Sequence, residues 1–222
     1  ASDVYKRQDI RRYEYEWADK YLIATFPSRH YDIELYPAVK RHLLSFGKER
    51  LEQTGKTYSI NGEKIKARKK THNKWFETQD SISYWEDFMR PKIIWKRIGS
   101  ILRFSYDTTG NLGLDSTCFA TGQHMAYLCC ILNSLMGHYM FKDSPKTGTG
   151  DLLVSVQAIE PILIPMNKDM ECLFENLLEE VLEHRSEETE KEINRLAFKL
   201  YDLSPAEINY ITDFVTQSQQ SQ

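Results

Sequence analysis

Lysine and arginine side chains concentrate in two stretches near the middle of the chain. Residues 64–74 hold six of them and residues 90–103 hold five, and neither stretch contains Asp or Glu. Such cations neutralise phosphates with release of counterions, and they can also hydrogen-bond to base edges. Trp75, Phe76, Tyr84 and Trp85 lie among them, where they either pack in a core or brace a groove and stack on an unpaired base. Together the two stretches favour a nucleic-acid partner over a merely solvated face.

The candidate contacts fall into three sets. Phosphate contacts are predicted for Lys66, Arg68, Lys69, Lys70 and Lys74. Contacts with phosphates or bases are predicted for Lys92, Lys96, Arg97 and Arg103. A further contact with the backbone of the nucleic acid is predicted for Lys146, in the Gly/Thr-rich loop at residues 144–151. Arg97 has two readings, because it could pair with guanine or form a salt bridge with Asp87 or Asp107.

Catalytic and metal-binding patterns are absent from the sequence. It has no G-x-S-x-G, H-E-x-x-H, P-loop or dinucleotide fingerprint, and its four cysteines show no C-x-x-C spacing. Its six histidines are scattered, and Glu14 and Glu16 would share one face of a strand. We therefore expect neither a metal site nor a catalytic site in this chain.

Composition is that of a globular protein, and charge is unevenly distributed. The 222 residues carry a net charge of −3, but residues 168–222 hold 13 acidic and 5 basic residues. No apolar run reaches the roughly 20 residues that span a bilayer, and no signal peptide leads the chain. We expect no membrane association, a cytoplasmic location and reduced thiols. Because the first residue is Ala rather than Met, the chain suggests a piece of a longer polypeptide.

The elements that must position these cations are centred on residues 91–133. The runs KIIWKRI and ILRFSY predict paired strands, and the stripe of Met125, Leu128, Ile131, Leu132 and Leu135 predicts a buried helix. Asn61-Gly62 between TYSI and EKIK predicts an exposed hairpin that carries the first basic stretch. Alternating aromatic and charged residues at 12–17, followed by YLIATF, predict another hairpin, and Pro37 opens a helix.

These patterns predict an α+β fold, in which a mixed, mainly antiparallel sheet packs on the central buried helix. Apolar stripes from Lys168 onward, and a capping box at Ser204–Glu207, predict a helical C-terminal appendage. The predicted organisation is a main domain at residues 1–166, a helical segment at 167–216 and a disordered tail at 217–222.

Several segments, in this order, resemble the TaqI-like C-terminal specificity domain. They are LYPAVKRHLLSFGKERLEQ, KWFET, FMRPKIIWKRI, FSYDTTGNLGLDSTCFA, YLCCILNSLMGHYMF and IEPILIP, and the resemblance spans roughly residues 35–214. That family forms the target recognition part of bacterial type IIG restriction-modification enzymes and related adenine-specific DNA methyltransferases. The YLCCILNS helix, the Gly loop and the Ile-Pro segment are also similar to half of a type I specificity subunit.

The family resemblance implies that the main domain, residues 1–166, is a DNA target recognition domain. It also implies sequence-specific binding of double-stranded DNA, with the target adenine delivered to a methyltransferase domain of the same full-length polypeptide. The sequence lacks an Asn-Pro-Pro-Tyr-type motif and a Gly-rich S-adenosylmethionine loop. We therefore expect no cofactor in this chain and S-adenosylmethionine in the full-length enzyme. Two other hypotheses remain open: a protein-protein interaction module that docks through its acidic helices, and a free-standing enzyme with a site assembled from scattered residues.

Overall fold

The computed structural model describes residues 2–17 and 19–220, and it shows an α+β fold. The strands are β1 Ser2–Tyr5, β2 Tyr21–Leu22, β3 Thr57–Ile60, β4 Glu63–Lys66, β5 Lys92–Lys96, β6 Ile98–Gly99, β7 Phe104–Asp107, β8 Leu112–Gly113, β9 Thr117–Thr121 and β10 Leu152–Leu153. The α-helices are α1 Pro37–Leu44, α2 Lys48–Leu51, α3 Met125–Asn133, α4 Leu135–Met140, α5 Val156–Ile159, α6 Lys168–Glu183, α7 Glu187–Leu200 and α8 Pro205–Gln220.

The chain divides into two compact units at places other than the predicted boundary. One unit comprises residues 1–2 and 21–85, and the other comprises residues 3–20 and 86–222. We call them the small unit and the large unit. The helices after residue 167, predicted to form a segment of their own, belong to the large unit because their apolar stripes are part of its core.

The large unit is built on the three-stranded sheet β7-β5-β9. β5 pairs antiparallel with β7 on one side, with Trp95 opposite Phe104, and antiparallel with β9 on the other. Ile93 and Trp95 enter the main core, whereas Ile94 packs with Ile10 on the opposite face. The strand is thus covered on both faces, as the apolar residues at odd and even positions of KIIWKRI predict.

Asn133 at the end of α3 fixes this helix to the sheet. Its side-chain oxygen accepts from the backbone N–H of Phe104 at 3.1 Å, and its amide nitrogen donates to the Phe104 carbonyl at 2.7 Å. Asn133 is fully buried, and the Phe104 carbonyl also accepts from the backbone N–H of Tyr13 at 2.9 Å. The predicted packing of the sheet on a buried helix is confirmed.

The buried face of α3 is wider than the predicted stripe. Tyr127, Cys130 and Ile131 are completely buried, whereas Leu128 and Leu135 are only half-buried. The reason is α6, which packs along the helix and places Phe174 edge-on against Tyr127 at 5.2 Å. A helix covered on several sides needs no single apolar stripe.

The C-terminal helices are integral to the core rather than appended to it. Ser204 and Glu207 form the predicted capping box, with the Ser204 N–H donating to the Glu207 carboxylate at 2.8 Å. Ile211 and Val215 of α8 are buried in the same core as α3. Residues 217–220, predicted to be disordered, continue α8, whereas residues 221 and 222 lie outside the described residues.

The hairpin predicted between residues 12–17 and 21–26 is not seen among the described residues, where Tyr21 and Leu22 of β2 pair with β1. Tyr13 has a left-handed φ of 68° and lies beside β7, where its N–H donates to Phe104 O at 2.9 Å and its carbonyl accepts from Tyr106 N at 2.7 Å. Its ring is buried, and the segment also folds back on itself through an isolated antiparallel bridge between Ile10 and Tyr15.

The small unit contains the hairpin predicted at Asn61-Gly62. β3 and β4 pair antiparallel with Ile60 opposite Glu63, and Asn61 and Gly62 both have positive φ, at 50° and 84°. These angles are those of a type I′ turn. The helix predicted from Pro37 is broken into α1 and α2 at Gly47, whose φ is 88°.

The different burial of two residues in α3 predicts different costs of truncation. Ile131→Ala should lower the free energy of unfolding by about 2–5 kcal/mol, as large-to-small changes in packed cores do. Leu128→Ala, in the same helix but half-buried, should cost less than half as much. Urea denaturation of both variants checks this expectation, and equal losses would contradict the assigned helix face.

The large unit should also lose stability in acid through His138 of α4. Loss of solvation and the nearby Arg12 guanidinium lower the pKa of its imidazole to about 4, against about 6.5 in an unfolded chain. Its contribution to stability is thus complete above pH 6.5 and is lost as the pH falls towards 4, by about 2–3 kcal/mol. Between pH 7 and pH 4, the free energy of unfolding should fall less for His138→Gln than for the wild type, as measured by denaturation at both pH values. Equal decreases in the two proteins would refute the role of His138.

Candidate nucleic-acid interface

Six lysines of the small unit form an exposed cationic surface. One of them, Lys56, directly precedes β3. The others lie on the β3–β4 hairpin, which we call the ribbon, and on the irregular segment that follows at residues 68–79, which we call the basic loop. The lysine surface consists of Lys56, Lys64, Lys66, Lys69, Lys70 and Lys74. All six side chains are exposed, and among the described residues none of them forms a salt bridge.

The ribbon turns one polar face outward. Thr57 pairs with Lys66 and Ser59 pairs with Lys64, and residues paired across antiparallel strands project from the same face. These four residues are exposed, whereas Tyr58 and Ile65, paired on the other face, are half-buried. The alternation therefore places the lysines of β4 away from the apolar side of the small unit.

Arg68 does not belong to this surface, although the sequence predicted it as a phosphate contact. Its guanidinium is half-buried and donates to three backbone carbonyls: Leu51 O at 2.6 and 2.8 Å, Trp75 O at 2.6 Å and Glu77 O at 2.9 Å. Burial is the main cause that lowers its pKa. With its donors committed inside the fold, Arg68 holds the basic loop instead of binding DNA.

Three further side chains brace the basic loop. The buried Gln53 amide donates to Lys74 O at 3.0 Å and to Glu77 O at 2.9 Å, and Asn73 donates to Thr78 O at 3.0 Å. The buried Glu77 carboxylate accepts from the Lys74 N–H at 2.7 Å. A segment without regular secondary structure is thus rigidly held while its lysines point to solvent.

The aromatic residues of this region serve mainly as core. Phe76 is buried and contacts Trp75 edge-on at 5.7 Å, with the Lys74 ammonium 5.6 Å from the Phe76 ring. Trp85 is half-buried, packs against Phe26 at 5.3 Å and lies under the Arg29 guanidinium. Phe76 and Trp85 thus support the loop, whereas Tyr84, the fourth of the predicted aromatic residues, is exposed.

In the large unit, Lys92 is likewise removed from the candidate contacts. Its side chain is completely buried, forms an ion pair with the buried Asp107 and donates to Phe88 O at 2.9 Å. Lys92 and Asp107 are directly opposite each other in β5 and β7. The sequence prediction of a DNA contact at this position is therefore corrected to an internal ion pair.

Arg97 is exposed, and both salt-bridge partners considered for it are engaged elsewhere. Asp87 pairs with Arg90 at 3.4 Å and Asp107 pairs with Lys92. Lys146 is also exposed, and it is anchored by a bridge between its backbone and Leu152 of β10, which pairs with β6 just after Arg97. Lys96 and Arg103 are half-buried. Arg97 and Lys146 are thus the accessible cations among the five predicted in this unit.

Sequence reasoning missed Lys56 and Lys64 as candidates. Lys56 directly precedes β3, and its carbonyl accepts from the Ala67 N–H at 2.8 Å, so it is an exposed cation at the base of the ribbon. The register that follows from the Asn61-Gly62 turn would have found it. Lys64 was visible in the acid-free run itself.

The strongly shifted ionisable groups of the large unit are core residues. Desolvation by burial raises the pKa of Cys129 to about 12 and raises that of Cys130 and Tyr13. In the described part of the chain, no three His, Cys, Asp or Glu side chains come together as a metal site. Over the same residues, no helix is long and apolar enough to cross a membrane.

Comparison with known protein families identifies the family of this chain. The sequence matches the TaqI-like C-terminal specificity domain over residues 2–157. This match includes the ribbon, the basic loop and the sheet of the large unit. A comparison with curated proteins finds no match.

Because the Arg68 guanidinium bonds to three backbone carbonyls, replacing it by lysine should destabilise the small unit. Arg68→Lys keeps the positive charge but loses the planar set of donors, and should destabilise the small unit by about 1–3 kcal/mol. Hydrogen exchange at residues 68–79 should become faster. Lys69→Gln, which removes an exposed charge next to it, should leave exchange unchanged. Unaltered exchange in Arg68→Lys would mean that the carbonyl contacts do not hold the loop.

Proposed function

Because the chain belongs to the TaqI-like C-terminal specificity domain family, we propose that it recognises specific sequences in double-stranded DNA. It does so as the target recognition module of a type IIG restriction-modification enzyme or a related adenine-specific DNA methyltransferase. The observation that supports this function best is the lysine surface. Its six lysines are exposed, form no salt bridge with any described residue, and flank or belong to a loop held by Arg68 and Gln53.

A division between recognition and catalysis is expected for this chemistry. An enzyme that modifies a base edge must take the base out of the duplex stack, and this costs unstacking and unpairing energy. Contacts to phosphates on either side hold the duplex in register while this happens. Rigidly mounted cations meet that need, since their charge then requires little reordering on binding.

The catalytic part is proposed to lie in a methyltransferase domain of the same full-length polypeptide, which binds S-adenosylmethionine and receives the target adenine. The present sequence contains neither the Asn-Pro-Pro-Tyr-type motif nor the Gly-rich loop that such a domain carries in the family it resembles. In this proposal the whole enzyme works in the cytoplasm, where its DNA substrate is found.

Within the chain, we assign DNA contacts to the cationic side chains that are exposed. Lys69, Lys70 and Lys74 of the basic loop contact phosphates, because they are exposed on a segment with a fixed backbone. In the large unit, Arg97 and Lys146 are proposed contacts. Arg97 has the planar donors that match guanine in the major groove.

Neutralising the basic loop should weaken binding to every duplex alike. Replacement of Lys69, Lys70 and Lys74 by Gln removes three phosphate contacts, so the slope of log K against log salt should become shallower by about three. Fluorescence anisotropy with duplexes of two unrelated sequences, at several salt concentrations, measures both effects.

The matched control neutralises two lysines of the same unit that already have acidic partners. Lys40 contacts Glu34 at 2.6 Å and Lys48 lies 3.8 Å from Glu52. Lys40→Gln combined with Lys48→Gln should leave the slope unchanged. If the triple variant and this control behave alike, the basic loop is a solvated face and the proposal is wrong.

A further inference from the structure

The ribbon carries hydrogen-bonding groups that phosphate neutralisation does not require. Its outward face presents the hydroxyls of Thr57 and Ser59 next to Lys64 and Lys66, and the exposed turn adds the Asn61 amide. Donors and acceptors are thus mixed along one face. Large apolar side chains are kept to the other face, where Tyr58 and Ile65 are half-buried.

The dimensions of the ribbon match one groove of B-form DNA. Two strands of four residues extend for about 13 Å and lie about 5 Å apart. The major groove, about 12 Å wide and 8.5 Å deep, admits a two-stranded ribbon, whereas the minor groove is only about 6 Å wide. Lysine, serine, threonine and asparagine are side chains that hydrogen-bond to base edges in the major groove.

We propose that the ribbon enters the major groove and reads base edges through Ser59, Asn61 and Lys64, so that it determines specificity. The basic loop stays outside the groove and holds the phosphates. This inference rests on the proposed DNA-binding function and assigns sequence readout to one element of it.

A carboxylate at the tip of the ribbon agrees with insertion into a groove. Glu63 follows Gly62 directly and is exposed, and among the described residues no salt bridge compensates it. Beside a phosphate this charge would be repelled. At a base edge it can accept a hydrogen bond from the amino group of cytosine.

The test compares preferred sequences rather than affinity alone. The 222-residue chain is used to select duplexes from a random pool, and the selection is repeated with Ser59→Ala/Lys64→Gln and with Lys70→Gln. Each variant loses one positive charge, so the electrostatic loss is matched. All substituted side chains are exposed, and thermal denaturation verifies that both variants fold.

Readout by the ribbon predicts that Ser59→Ala/Lys64→Gln loses a preference of roughly 5- to 100-fold at one or two base pairs. Lys70→Gln should keep the preference of the wild type and bind all duplexes more weakly. Replacing purines of the selected site by 7-deazapurines removes the N7 acceptor of the major groove. This replacement should weaken wild-type binding more than binding of the ribbon variant.

The experiment distinguishes failure of readout by the ribbon from failure of the proposed DNA-binding function. If the wild-type chain selects a sequence and the ribbon variant selects the same one with equal preference, readout by the ribbon is refuted while the proposed function stands. If the wild-type chain binds no duplex, both the proposed function and this inference are overturned.

Discussion

The Arg68 guanidinium, shared among three backbone carbonyls, is the interaction on which the lysine surface depends. The basic loop has no helix or strand to pair its backbone, and carbonyls withdrawn from water must find donors. Arg68 supplies them to Leu51, Trp75 and Glu77, while Gln53 supplies a second donor to Glu77. One cation that is used inside the fold thereby allows its neighbours Lys69 and Lys70 to remain outside.

The large unit also contains polar side chains that are buried and bonded inside the fold. Asn133 pairs with the backbone of Phe104, and Lys92 is buried opposite Asp107 with a further bond to Phe88 O. Buried ion pairs add little net stability, but loss of one partner is costly because a charge is left uncompensated. In both units, then, polar side chains that look available in the sequence form hydrogen bonds and ion pairs inside the fold.

Local chemistry explains which features could be predicted from the sequence. The Asn61-Gly62 turn and the Ser204–Glu207 capping box depend on a few adjacent residues, and both are formed as expected. The alternation in KIIWKRI likewise places Ile93 and Ile94 on opposite covered faces. The family resemblance and the α+β fold are confirmed for the same reason, since they rest on runs of neighbouring residues.

The predictions that were wrong concern contacts between residues that are far apart in the sequence. Lys92 and Asp107 are separated by two strands and a loop, so only the register of β5 and β7 reveals that they meet. The width of the buried face of α3 depends on α6, more than 30 residues later. Exposure of a cation, which decides whether it can reach DNA, is therefore the property that charge counts along a sequence predict least well.

Acetylation of lysines with and without duplex DNA, read residue by residue by mass spectrometry, tests the central claim most directly. We expect duplex DNA to protect Lys56, Lys64, Lys66, Lys69, Lys70 and Lys74. Lys168, Lys191 and Lys199, exposed on the acidic C-terminal helices, should be modified equally in both states. Uniform labelling of the six lysines, or protection confined to the C-terminal helices, would contradict the account.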